Sequence, residues 1–227
     1  MTAFNFVLHR DFATIVTDSL NTAVPEQRPY QFSSKVHVLA NLHAVMGGRG
    51  RGLFLDECYR QLSLGLIARD VADADNLVPE LYRRLWAEQL AKEEGDDEPS
   101  PLPPSATVCH IGWVEKERRI VGFEYSSADN FESDRIKDGA WLHPGTVDIL
   151  ITDPSDLVKI TIMQKEIDDK LPVGERAGIG GDIYLYQLTH EGIVAQKAHR
   201  FEDYDQQFSE MEAYADDLKK KHGGPPD

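Results

Sequence analysis

The chain has 227 residues, 41% hydrophobic and 28% charged, with a formal net charge of −15 at pH 7. That suits one domain, or one with an insertion, and argues against nucleic acid or an anionic membrane as partner, since both need clustered Lys and Arg. No apolar run reaches membrane-spanning length, the N-terminus lacks the basic-then-apolar form of a signal peptide, and Cys58 and Cys109 suit buried free thiols, so a cytoplasmic protein is expected.

Phe4, Phe6 and Leu8 alternate with Asn5, Val7 and His9, and Phe12 to Thr17 is apolar and β-branched. These segments predict a hairpin closed near Arg10-Asp11 and ended by Asp18. Residues 25–34 are polar and loop-like. Lys35 to Met46 reads as two strands or one bent pair, stopped by the glycines from Gly47 to Gly52, a turn ahead of a helix. Leu53 to Leu90 predicts helix, with Leu55, Tyr59, Leu62 and Leu66 on one face and Leu81, Tyr82 and Leu85 on another. Asp75-Asn76 and Pro79 break it in two. Residues 92–105 form an acidic, proline-rich insert that cannot pack a core. Thr107–Val114 and Arg119–Tyr125 flank a charged turn, and Asp153-Pro154 starts a helix with Leu157, Ile160, Ile167 and Leu171 as its apolar face. Asp182–Leu188 and Ile193–His199 make a third hairpin. Tyr204, Phe208, Met211, Ala215 and Leu218 mark a last helix.

Strand pairs joined by short turns are antiparallel, and here they alternate with helical blocks. Two antiparallel sheets packed face to face with helices outside would satisfy every apolar face. The expected fold is α+β, a four-layer αββα sandwich, with one domain over 1–222 and a tail at 223–227.

Thr2 stands directly behind Met1. If Met1 is removed, one residue carries both a hydroxyl and a free α-amine, so nucleophile and base come as a unit. Thr2 opens the first strand, Thr17-Asp18 closes the second, Lys35 opens the third, and Gly47-Gly48 precede the first long helix. Gly180-Gly181 enters a late strand, and Glu191-Gly192 turns the closing hairpin. This order and spacing resemble the proteasome β-subunit family of N-terminal-nucleophile hydrolases, as a divergent bacterial-type member.

The resemblance implies that Thr2 Oγ attacks a carbonyl while its own α-amine carries the proton. It implies that Lys35 lowers the nucleophile's pKa, an opposite-charge effect, and that Asp18 holds Lys35. The backbone N–H of Gly47 or Gly48 would serve the oxyanion, such donors contributing about 3 kcal/mol. A peptide or amide substrate, no cofactor or metal, and a homo-oligomer, with a ring as one possible form, are implied too.

The sequence also departs from the family pattern. Arg176 stands where the family has an acid and Ile179 where it has Ser, with Glu175 one residue away as a possible substitute. His143-Pro144-Gly145-Thr146 is the nearest segment to a Gly-Ser-Gly turn. Plainer roles exist beside the catalytic ones: Thr is a common second residue, Lys35 can start a surface strand, and Asp18 can cap a hairpin. A catalytically silent scaffold or interaction protein of the same fold is the alternative. The Gly47–Gly52 cluster lacks the Lys-Ser/Thr ending of a phosphate loop. His9, His37 and His43 lack the acid or Cys partners that would complete a metal site, so packed or surface histidines are expected.

Overall fold

A computed structural model describes residues 2–23, 27–93, 104–145, 147 and 149–221. Two five-stranded antiparallel sheets face each other. The first has the order β10 (Gly139–Trp141), β1 (Phe4–Leu8), β2 (Phe12–Asp18), β11 (Asp182–Thr189), β12 (Gly192–Arg200). The second runs β5 (Val36–Leu39), β6 (Ala44–Gly50), β7 (Ala106–Val114), β8 (Arg119–Ser126), β9 (Ser133–Ile136). β3 (Leu20–Ala23) and β4 (Arg28–Phe32) form a separate hairpin. Helices α1 (Gly52–Leu64), α2 (Val71–Ala74) and α3 (Val78–Glu93) cover the second sheet, and α4 (Pro154–Asp168) covers the first. α5 (Tyr204–Lys221) lies against β4.

Alternation of side chains along each strand generates the layers. Phe4, Phe6, Leu8, Ala13 and Ile15 meet Val45, Cys109, Ile111 and Ile120 between the sheets. On the opposite faces, Ala3, Val16, Ile183 and Leu185 pack beneath Leu157 and Ile160 of α4. Met46, Val108 and Val121 pack beneath Phe54, Cys58, Leu62 and Tyr82. Three apolar interfaces between four layers make the expected αββα sandwich. Both cysteines are free and buried.

Several expectations are corrected. The polar segment 25–34 contains β4, which pairs Leu20 with Phe32 and Asn21 with Gln31. It is stabilised from outside by α5, where Phe32 stacks on Tyr204 at 4.5 Å and Arg28 lies over Tyr214. β9 and β10 are short edge strands that carried no clear periodic pattern. On α4 the buried face does not continue through Ile167, which is 51% exposed, or Leu171. It continues instead through Thr161, Gln164 and Asp168, which find polar partners inside. The apolar stripe of α5 covers a hairpin rather than a core, which leaves Phe208 and Leu218 partly exposed. Most of the acidic insert, residues 94–103, lies outside the described residues. Among the described residues, no helix is long and apolar enough to cross a membrane.

Candidate active site

Pairing of Phe4 with Thr17 sets Thr2 and Ala3 beside the last residue of β2, Asp18. Asp18 is fully buried, and such a carboxylate is stable only when its oxygens are saturated with donors. Oδ1 accepts from Thr2 Oγ1 at 2.7 Å and from Ala3 N at 2.9 Å. Oδ2 accepts from Leu20 N and Gly180 N, each at 3.2 Å. Lys35 Nζ lies 2.9 Å from both oxygens, in the entry to β5. Thr17 Oγ1 donates to Ala3 O at 2.8 Å and so ties the residue after Thr2 to β2.

Thr2, Asp18 and Lys35, chosen from the sequence, therefore converge. The Lys35 side chain is only 8% exposed, and burial pulls its pKa below the ordinary lysine value, with the Asp18 carboxylate opposing that shift. The cluster thus joins a hydroxyl and a buried ammonium of lowered proton affinity through one carboxylate that touches both.

Gly47 and Gly48 stand elsewhere than expected. They lie inside β6, with Gly47 opposite Val36 and Cys109 and Gly48 opposite Val108, not in a turn before α1. Both are glycine for space: a Cβ at Gly47 would strike the Phe4 ring, and one at Gly48 the Thr107 carbonyl. Beyond Gly47, β6 has outrun β5, whose register ends at Val36, while its pairing to β7 continues to Gly50.

Around the cluster, uncharged residues and one further acid hold the loops. Asn5 Nδ2 donates to Gln164 Oε1 at 2.7 Å and to Thr161 Oγ1 at 3.0 Å. Gln164 Nε2 returns a bond to Asn5 Oδ1 and reaches Pro144 O at 3.1 Å. His143 runs alongside β1, accepting from Phe4 N at 3.0 Å and donating its own N–H to Asn5 Oδ1 at 2.9 Å. The His143 ring lies 2.7 Å from Arg49, and burial together with that cation holds its pKa down at about 4. Thus a His–Arg contact occupies the place where the resemblance leads one to look for a Gly-Ser-Gly turn.

Glu175 does not replace the missing acid, because it is exposed. Asp168, buried at the end of α4, accepts from the backbone N of Ala177, Gly178 and Ile179 at 2.6, 2.9 and 3.3 Å. Sequence reasoning missed Asp168, Asn5 and Gln164. The available signal was the spacing of Thr161, Gln164 and Asp168, three and four residues apart, which puts polar groups on one helical face.

The three histidines are apart: His9 stacks on Phe12, His37 on Tyr59, and His43 Nε2 meets Thr189 O. An open groove lined by Asp153, Lys159, Gln187 and Lys197 lies outside the Thr2 cluster and shares no residue with it.

No protein-family model matches the sequence, and a search of curated proteins finds no match. Among solved structures the chain is similar to a Gly-1 mutant of Anbu from Hyphomicrobium sp. strain MC1. The TM-score is 0.60 at 12% identity, covering 100% of this chain and 98% of that one. At that identity the likeness concerns the fold, which is proteasome-like over the whole length.

Proposed function

We propose that the chain is a proteasome-like N-terminal-nucleophile hydrolase that cleaves peptide or amide bonds, with Thr2 as nucleophile once Met1 is removed. The convergence of Thr2, Asp18 and Lys35 in one buried cluster carries this reading.

In the reaction, Thr2 Oγ attacks the substrate carbonyl and its proton passes to the freed α-amine. The tetrahedral intermediate collapses with loss of the amine, which takes that proton, and leaves an ester on Thr2. Water, deprotonated by the same α-amine, hydrolyses the ester and restores the hydroxyl. Lys35 favours the alkoxide electrostatically, and Asp18 fixes both groups. Backbone donors for the oxyanion belong to Gly47 or Gly48, near the stretch of β6 that has outrun β5. A homo-oligomer, a ring being one form, acting in the cytoplasm completes the proposal.

The test is hydrolysis of an N-blocked peptide coumarylamide by the Met1-processed protein and its Thr2→Ala variant. Activity should vanish in the variant while the Tm stays close to that of the parent. Equal rates in the two proteins would remove Thr2 from the chemistry.

A second reading is a silent scaffold of the same fold. It draws on the burial of Thr2, which is 5% exposed and has its hydroxyl committed to Asp18.

A further inference from the structure

Gln207, in the first turn of α5, is buried although most of that helix is exposed. Its Oε1 accepts from Gly181 N at 2.9 Å, and its Nε2 donates to Asp203 Oδ2 at 2.9 Å. That same Asp203 oxygen lies 2.8 Å from Lys165 Nζ on α4, and Lys165 also bonds Asp169. Gly181 holds a left-handed backbone at φ +76°, which a side chain would strain, and a Cβ at Gly180 would fall on the Gln207 amide. The glycine pair therefore packs directly on this glutamine.

The other side of the same turn faces the candidate site. Gly180 N donates to Asp18 Oδ2, and Gly180 O accepts from Ser19 N and Leu20 N at 3.2 Å. Ser19 Oγ in turn accepts from Asp182 N at 2.8 Å. A continuous file of contacts thus runs from Lys165 and Asp203, through Gln207 and the Gly180-Gly181 turn, to the carboxylate that holds Thr2 and Lys35.

We propose that Gln207 is a positioning residue for the Thr2–Asp18–Lys35 cluster, so that docking of the C-terminal helix sets the geometry around Asp18. Its consequence for catalysis rests on the hydrolase reading above, but the coupling itself does not need Thr2 to react. Without the Gln207 bond, Gly181 N–H is buried and unpaired, and the turn gives way to recover a partner. Asp18 then loses the Gly180 donor, its charge bears more fully on Lys35, and water gains access to the ammonium. Both changes raise the proton affinity of Lys35.

The experiment follows the titration of Lys35 by NMR in full-length protein labelled with ¹³Cε-lysine, with the Lys35 signal assigned by Lys35→Arg. Gln207→Met removes both hydrogen bonds at similar length, whereas Phe208→Ala, on the partly exposed side of the same turn, leaves both in place. The expected result is a rise of the Lys35 midpoint by about half a pH unit or more in Gln207→Met, with Phe208→Ala close to the parent. A folded Gln207→Met protein with an unmoved Lys35 would overturn the proposal. An equal shift in Phe208→Ala would overturn it too, by reducing the effect to general loosening. Should Gln207→Met fail to fold, Asp203→Ala, which frees the glutamine amide, should move Lys35 the same way by a smaller amount. No movement there counts against the relay. Absence of hydrolysis in every protein, with Lys35 shifting as expected, would sink only the hydrolase reading.

Discussion

Asp18 and His110 are both fully buried polar side chains, yet the protein treats them on opposite terms. Asp18 sits against the Lys35 ammonium and accepts from backbone and hydroxyl donors of Thr2, Ala3, Leu20 and Gly180. His110, on β7 beneath α3, meets Tyr82 Oη through Nε2, and its Nδ1 has no partner among the described residues. Burial pushes its pKa down to about 3, and burial likewise pushes Tyr82 well above the ordinary tyrosine value. A cluster that only fills space does best without charge, since an unpaired buried charge is very costly. The Asp18 cluster keeps opposite charges inside the fold by recruiting donors from separate segments, an arrangement that replacement by apolar groups commonly matches or exceeds in stability. Stability alone gives no reason for that arrangement, whereas the chemistry proposed at Thr2 does.

The contrast breaks most visibly at Asp18. Asp18→Ala leaves the Lys35 ammonium buried without a counter-ion and should lose about 3–5 kcal/mol in urea unfolding. The Asp18→Ala/Lys35→Met double variant should recover much of that loss. A double variant less stable than the single would mean that the pair is not isolated in the way its contacts suggest.

Asp168→Ala removes the acceptor for three backbone N–H groups and should lose about 2 kcal/mol, less than at Asp18 because no cation is stranded. A variant with parental stability would show that the 177–179 loop finds other partners.

At His110 the expected effect depends on pH. The unfolded chain protonates this histidine near the ordinary value of 6.5, whereas the folded protein resists down to about 3. Stability from this group is therefore complete above about pH 6.5 and is lost as pH falls toward 3, at up to about 1.4 kcal/mol per pH unit. His110→Gln should show a shallower loss between pH 6.5 and 4 in matched urea titrations. Parallel curves for the two proteins would place the acid sensitivity elsewhere.

The smallest effect is expected from Thr2→Ala on stability. One hydrogen bond to Asp18 is lost while Ala3 N, Leu20 N, Gly180 N and Lys35 remain, so unfolding should shift by about 1 kcal/mol or less.

Much of this was legible in the sequence where local pattern and tertiary structure agree. The alternation of Phe4, Phe6 and Leu8 and the capped start at Asp153-Pro154 both describe elements that form as expected. Thr2, Asp18 and Lys35 were legible because they sit at strand ends whose order along the chain is itself a pattern. Gly47 and Gly48 were misplaced because glycine punctuates turns and also permits close packing inside a sheet. Only the Phe4 ring and the Thr107 carbonyl, far away in sequence, distinguish the two cases. β4 was hidden for a related reason: its support comes from Tyr204 and Tyr214 on a helix at the other end of the chain. Asp168 and Gln207 are polar residues on otherwise amphipathic helices, and their inward aim is fixed by loops with no periodic signal.

The most direct measurement is the intact mass of purified protein before and after incubation with a β-lactone electrophile, alongside Thr2→Ala. A working threonine nucleophile predicts loss of Met1 and a single adduct that is absent from the variant. Retained Met1 with no adduct, or an adduct that persists in Thr2→Ala, would contradict it.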